Sequence, residues 1–207
     1  MLLVCSYLSN RKQYVQIDCD SSRQLIVTHG VPQGSILGPV LFNIYVHDLN
    51  ENTSGLCVQY ADDTSIYESF KPREINHYVE KINNDLSKVV EWSSESNLIF
   101  NAGKTKTVLF ATRQLAKIHN LNDPHLYEIN SMGKTIERAN SYKILGIIFD
   151  HDLSWNLHIN HVISKCYSCL RTLAKIKRFT PYHVGKNLAE SLVLSRIDYG
   201  NAVFIML

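Results

Sequence analysis

The sequence predicts an α+β protein that becomes wholly helical toward its end. Three observations carry this. Short alternating apolar segments, punctuated by Gly, Pro, Asn and Asp, recur up to about residue 150. A long amphipathic stretch interrupts them over residues 73–96. From Trp155 onward the apolar spacing is helical and the alternation stops. The natural division is residues 1–150, mixed, and residues 151–207, helical.

Residues 13–18 alternate as a half-buried strand does, residues 24–28 make a second strand, and the polar stretch between them reads as a hairpin turn. Gly30-Val31-Pro32-Gln33-Gly34-Ser35 is a loop marked by two glycines and a proline. A helix follows, because Pro39 suits a first turn and Leu37, Val40, Leu41, Ile44 and Tyr45 recur at helical spacing. Residues 50–55 form a polar loop, and residues 57–67 read as two strands meeting at Asp62-Asp63. The next helix, from about Arg73 to Ser96, places Ile75, Val79, Ile82, Leu86, Val89 and Val90 on one stripe. Strand character resumes over residues 104–111, a polar loop covers 112–125, and residues 126–150 read as further strands around Gly133. A helix over roughly 155–178 carries the line Ile159-Val162-Ile163-Cys166-Leu170-Leu173. Thr180-Pro181 supplies an N-cap and a first-turn residue for the last helix, with Val184, Leu188, Leu192 and Ile197 aligned.

Composition narrows the class of function. With 45% hydrophobic and 19% charged residues in 207, the chain is ordinary globular protein and not wholesale disorder. A net charge of +2 does not announce a nucleic-acid binder, so such a reading must come from motifs. The five cysteines are odd in number and scattered, which fits a reducing interior better than a secreted disulfide framework. Cys166 and Cys169 lack a second pair to complete a zinc site, and His158 and His161 on the same helix converge poorly on them. Small core residues one turn apart are the better account. The apolar runs are too short to span a membrane, and the first five residues are too short for a signal peptide. The chain is therefore expected inside the cell, in nucleus or cytoplasm.

The sharpest chemical feature is Tyr60-Ala61-Asp62-Asp63 between two apolar strands. Adjacent carboxylates at a tight hairpin repel, and a turn chosen for stability would use Asn-Gly or Asp-Gly. A divalent cation removes the objection, since Mg²⁺ takes carboxylate and phosphate oxygens together. Gly103-Lys104-Thr105 and Gly133-Lys134-Thr135 mimic the end of a P-loop. The earlier glycine that such a loop needs is replaced by Leu98 and Glu128, so neither is one.

The strings GVPQGSILGPVLFNIYVHDL (residues 30–49) and QYADDTSIY (59–67) resemble reverse transcriptases of non-LTR (LINE-type) retrotransposons, jockey-like elements in particular. SYLSNRKQYVQI (6–17), NLIFNAGKTKTVLF (97–110), YKILGIIFDHDLSWNLHI (142–159) and LSRIDYG (194–200) continue the resemblance in order. It implies the palm of a right-hand polymerase, an antiparallel sheet packed on helices, over residues 1–150, and part of a helical thumb over 151–207. The implied activity is RNA-directed DNA synthesis by two-metal nucleotidyl transfer, with Mg²⁺ as cofactor and an RNA template, DNA primer and dNTP as partners. Asp62 and Asp63 would be the catalytic, metal-binding pair, with Lys104 near the departing pyrophosphate. Pro32, Gln33, Gly34 and Tyr60 would position template and nucleotide, and Leu145 and Gly146 would grip the primer. Lys165, Arg171, Lys175, Lys177 and Arg178 would either meet duplex phosphates or form a solvated face.

The sequence also departs from that family. No segment like Phe-x-Asp-(apolar)-x-x-Ala-Phe-Asp, which carries the third catalytic carboxylate on an earlier palm strand, precedes Gly30, and the fingers have no counterpart. Since positioning and metal electrostatics are nearly the whole of phosphoryl-transfer catalysis, the chain alone is expected to be inactive or nearly so. The alternative reading is a non-catalytic remnant that binds RNA or an RNA–DNA duplex.

Overall fold

The computed structural model describes residues 2–121, 123 and 125–205. Met1 of the apolar N-terminal run, Asn122 and Pro124 of the expected polar loop, and residues 206–207 of the helical region lie outside them. The fold is mixed α+β, as expected, and divides into two units. One holds residues 2–69 with Asn84–Ser96; the other holds Phe70–Asn83 with residues 97–205.

The first unit opens with helix α1 (Leu2–Leu8) and four two-residue strands, β1 (Lys12–Gln13), β2 (Gln16–Ile17), β3 (Asp20–Ser21) and β4 (Leu25–Ile26). β1 pairs with β4 and β2 with β3, both antiparallel, so the expected hairpin forms in two steps. It is not half-buried: Tyr14, Val15, Ile17, Leu25 and Ile26 are all exposed. Alternation defines a strand, but a two-stranded ribbon buries a face only where another element covers it.

Helix α2 (Leu37–Tyr45) carries Pro39 in its first turn, as expected. Its apolar line is exposed at Leu37, Val40, Ile44 and Tyr45, and only Leu41 is half-buried. A 3-10 turn (His47–Asn52) replaces the first half of the expected polar loop and buries Leu49. Strands β5 (Leu56–Tyr60) and β6 (Asp63–Tyr67) follow as an antiparallel hairpin. Helix α3 (Ile75–Glu95), entered through the turn Pro72–Glu74, matches the expected stripe. Its second half buries Leu86, Val89 and Trp92, which with Val46 and Leu49 form the apolar core of this unit. Trp92 Nε1 donates to Asp48 Oδ1 at 3.1 Å and Tyr45 hydroxyl donates to the Ser96 carbonyl at 2.5 Å, tying residues 45–48 to the helix.

The second unit begins with the first half of α3, where Ile75 is buried and Asn83 Oδ1 accepts from the Asn130 amide at 2.8 Å. Of the strand expected over 104–111, only β7 (Lys106–Thr107) forms. A short helix, α4 (Arg113–Ile118), stands where a loop was expected. The sign of it was Thr112, whose Oγ1 accepts from the Leu115 amide at 3.3 Å as an N-cap, and the helix buries Ala116. β8 (Asn130–Ser131) and β9 (Lys134–Thr135) turn at Met132-Gly133 as expected, and β10 (Glu137–Arg138) pairs parallel with β7, with Lys106 and Glu137 in ion pair. β11 (Ser141–Ile144) and β12 (Ile147–Asp150) form the longest hairpin of this unit.

Buried Asp150 ends β12 and starts the next helix. Its carboxylate accepts from the Ser154 amide at 2.6 Å and the Ser154 hydroxyl at 2.7 Å. Helix α5 (Asn156–Ile176) packs on β12 and on the helices after it. It turns His158, Val162, Cys166, Cys169 and Leu173 inward, and Ile159, Ile163 and Leu170 are exposed, so the expected apolar line is rotated. Cys166 is buried, Cys169 half-buried, and both are free thiols. Pro181, not Thr180, holds the N-cap position of α6 (Tyr182–Ala189). A π-helical stretch (Glu190–Leu194) then shifts the register into α7 (Ser195–Asp198) and α8 (Asn201–Ile205). The aligned residues Val184, Leu192 and Ile197 are exposed, and Leu188 is half-buried. Among the described residues no helix is long and apolar enough to cross a membrane.

Candidate active site

The register of the acidic hairpin runs from Leu56↔Tyr67 to Tyr60↔Asp63, which leaves Ala61-Asp62 as a two-residue turn. Asp62 lies in the turn and Asp63 opens β6, one residue from the expected meeting point. Both carboxylates are exposed, and so is Tyr60 beside them. The strand alternation sends Cys57 and Gln59 to a half-buried face, and leaves Leu56, Val58 and Tyr60 in solvent with Tyr67 across from Leu56.

Ala61 sits at φ +53°, the left-handed region that two-residue turns fill with Gly, Asn or Asp. An alanine there costs about 1 kcal/mol. Strain of this kind persists only where the flanking strands over-determine it, and the acids it presents are the chemical content of the turn.

Pro32, Gln33 and Gly34 occupy the loop into α2 in the same unit. Gly34 stands at φ +77°, where a side chain would be strained, and Gln33 is exposed. Ser35 secures the loop: its Oγ donates to the Pro32 carbonyl at 2.7 Å and accepts from the Gly38 amide at 3.0 Å. A Cβ on Gly38 would meet Ser35 Oγ at 2.9 Å and the Pro32 carbonyl at 3.0 Å, so the motif needs that glycine as well.

The second unit carries the remaining expected residues. Lys104 is exposed on a tight turn whose first residue is Asn101. The Lys104 amide donates to Asn101 Oδ1 at 3.1 Å, and Thr105 Oγ1 donates to the Asn101 carbonyl at 2.9 Å. That is a physical reason for Asn101 and Thr105 at this spacing, while Lys104 contributes its backbone amide. Leu145 and Gly146 are the two residues between β11 and β12, both at positive φ (+47° and +91°), as a tight twisted hairpin turn demands. The Tyr199 hydroxyl donates to the Leu145 carbonyl at 2.6 Å, and a Cβ on Gly146 would lie 3.2 Å from the Tyr199 ring. Lys165, Arg171, Lys175, Lys177 and Arg178 are all exposed.

Residues 3–149 match the reverse transcriptase (RNA-dependent DNA polymerase) family. The chain belongs to the reverse transcriptases. Similar proteins include the RNA-directed DNA polymerase from mobile element jockey of Drosophila melanogaster, 29% identical over 169 residues, and that of Drosophila funebris, 32% identical over 165. These alignments cover 78% and 76% of this chain and 17% of each relative. The probable RNA-directed DNA polymerase from transposon X-element of Drosophila melanogaster is 26% identical over 186 residues, 84% of this chain and 19% of that protein. The reverse transcriptase chain thus spans less than a fifth of the length of the relatives it matches. No solved structure matches it.

A divalent ion suits the donor chemistry of Asp62 and Asp63, adjacent hard oxygens open to solvent. Among the described residues, however, no three His, Cys, Asp or Glu side chains come together in a group that could hold a metal. Two carboxylates alone do not complete a cage for two ions. Two supporting residues lay beyond sequence reasoning. Tyr199 was visible only as part of the LSRIDYG string. Asp85 was visible as an acid set between Ile82 and Leu86 on an otherwise apolar face, a pattern that signals a buried polar anchor.

Proposed function

We propose that this chain contributes to RNA-templated DNA synthesis as part of a longer polymerase, with residues 1–150 in the palm and 151–207 in the thumb. The observation that carries the reading is the hairpin with Asp62 and Asp63 exposed at its tip. A solvent-facing acid pair on a strained turn has little stabilising use and suits a cation at a growing nucleic-acid end. Mg²⁺ bound there would activate the primer 3′-hydroxyl and neutralise departing phosphate. In this reading Gln33, Gly34 and Pro32 seat the template base and dNTP, and Tyr60 lies beside the primer end. Lys104 offers an exposed cation to pyrophosphate, and the Leu145-Gly146 turn holds the primer. The open apolar face Leu56, Val58, Tyr60 and Tyr67 suits further sheet or helix of the longer polymerase. A third carboxylate would come from there too.

The test has two arms. Titrating the isotopically labelled chain with Mn²⁺ should broaden the amide signals of residues 60–64, and Asp62→Asn or Asp63→Asn should abolish the broadening. Mg²⁺-dependent primer extension on an RNA template should be absent or trace for the chain alone. It should depend on Asp62 when residues 3–149 replace the matching segment of the jockey polymerase. Robust extension by the chain alone, insensitive to Asp62→Ala, would defeat the assignment.

A further inference from the structure

Asp85 is the most deeply buried side chain among the described residues, at 1% exposure, and it is a carboxylate. It lies in the second half of α3, on the face that also buries Leu86, Val89 and Trp92. Burying such a group is costly unless hydrogen bonds replace its water. Here they do. Oδ2 accepts from the Ser54 amide at 3.0 Å and the Gly55 amide at 3.0 Å, and the Ser54 hydroxyl donates to both carboxylate oxygens at 2.9 Å.

Those donors are the last two residues before β5. Gly55 is confined from the other side as well: a Cβ there would stand 2.9 Å from Glu68 Oε1 and 3.3 Å from Ile66 Cγ2, at the far end of β6. The base of the acidic hairpin is therefore held to α3 by Asp85 at the start of β5, where its two strands also come close together. Along the hairpin toward the tip, the described side-chain bond is a long one, Gln59 Nε2 to the Val46 carbonyl at 3.4 Å. The tip bearing Asp62 and Asp63 is a lever projecting from an anchored base.

We propose that Asp85 is a positioning residue for the acidic pair, fixing the hairpin's orientation on α3 and thereby where Asp62 and Asp63 stand. The proposal rests on the reading of that pair as metal-binding. A carboxylate suits this role because three donors converge on its two oxygens. Asparagine could keep its oxygen on the two N–H groups and turn its NH₂ to the Ser54 hydroxyl, so the substitution that removes the acceptors is leucine, close in size.

Residual dipolar couplings of the full chain test this directly, comparing the amides of β5 and β6 with those of residues 84–96 in the parent and in Asp85→Leu. The variant should melt as one cooperative transition while the hairpin amides rotate relative to the helix. Mn²⁺ affinity at residues 60–64 should fall on the order of tenfold, as when an orienting group is lost from a metal site. Ser54→Ala, which removes one of the three donors, should move both readouts less and in the same direction. A folded Asp85→Leu chain with unchanged couplings overturns the proposal. Should Asp85→Leu not fold, unchanged couplings in Ser54→Ala overturn it instead. If the parent takes up no Mn²⁺ at the tip, the metal-binding reading fails, and the couplings alone decide the role of Asp85.

Discussion

The two longest hairpins of this chain are held at opposite ends. β5–β6 is anchored at its base by Asp85 and its turn stands free with two exposed acids. β11–β12 is anchored at its turn, where Tyr199 caps the Leu145 carbonyl, and along β12, where Ile147 and Asp150 are buried and α5 packs. Both turns place a residue other than glycine at positive φ, Ala61 at +53° and Leu145 at +47°, and the covered one adds Gly146 at +91°. Cover, not strain, separates them: one turn is closed by its own protein, and the other is open to solvent and secured from behind.

Substitutions at the anchors separate the two hairpins, beginning with the largest effect. Asp85→Ala strands three donors at the base of β5–β6 and should cost about 3 kcal/mol in urea unfolding, with β5–β6 losing amide protection before β11–β12. Simultaneous loss of protection in both would erase the distinction. Gly146→Val places a branched side chain at φ +91° against the Tyr199 ring and should cost about 2 kcal/mol, with protection lost first in β11–β12. Ala61→Gly should have the opposite sign. Relief of the left-handed strain, less the added freedom of the unfolded chain, stabilises by about 0.5 kcal/mol. A destabilised Ala61→Gly chain would show that the open turn is not strained.

The smallest effect is a pH dependence confined to the covered hairpin. His158 Nδ1 accepts from the Ile148 amide of β12 at 3.2 Å, which requires a neutral ring. Burial, helped by His161 and Lys143, holds its pKa below the ordinary 6.5. The unfolded chain therefore binds the proton more readily. This contribution is fully present above 6.5 and is lost as pH falls from there toward the lower folded value. Melting temperature should decline over that interval in the parent and decline less in His158→Gln. Equal slopes would remove His158 from the account.

Much of this was legible without coordinates. The Asp62-Asp63 hairpin, the Gly133 turn and the α3 stripe follow from local chemistry: alternation, turn residues and a helical period each act over a few neighbours. The misses share a cause. The exposed ribbon β1–β4, the rotated inward face of α5 and the register shift through the π-helical stretch all depend on which distant surface covers an element. An apolar pattern states that a face can be buried and does not say by what.

On its own, then, the sequence determined the element types, the acid pair at a hairpin and the family string that surrounds it. Tertiary structure alone decided that Asp85 reaches the start of β5 and that Tyr199 closes on Leu145. Those pairings span 31 and 54 residues of chain. No local propensity encodes a contact at such separation, because it forms only when packing elsewhere has brought the two segments together.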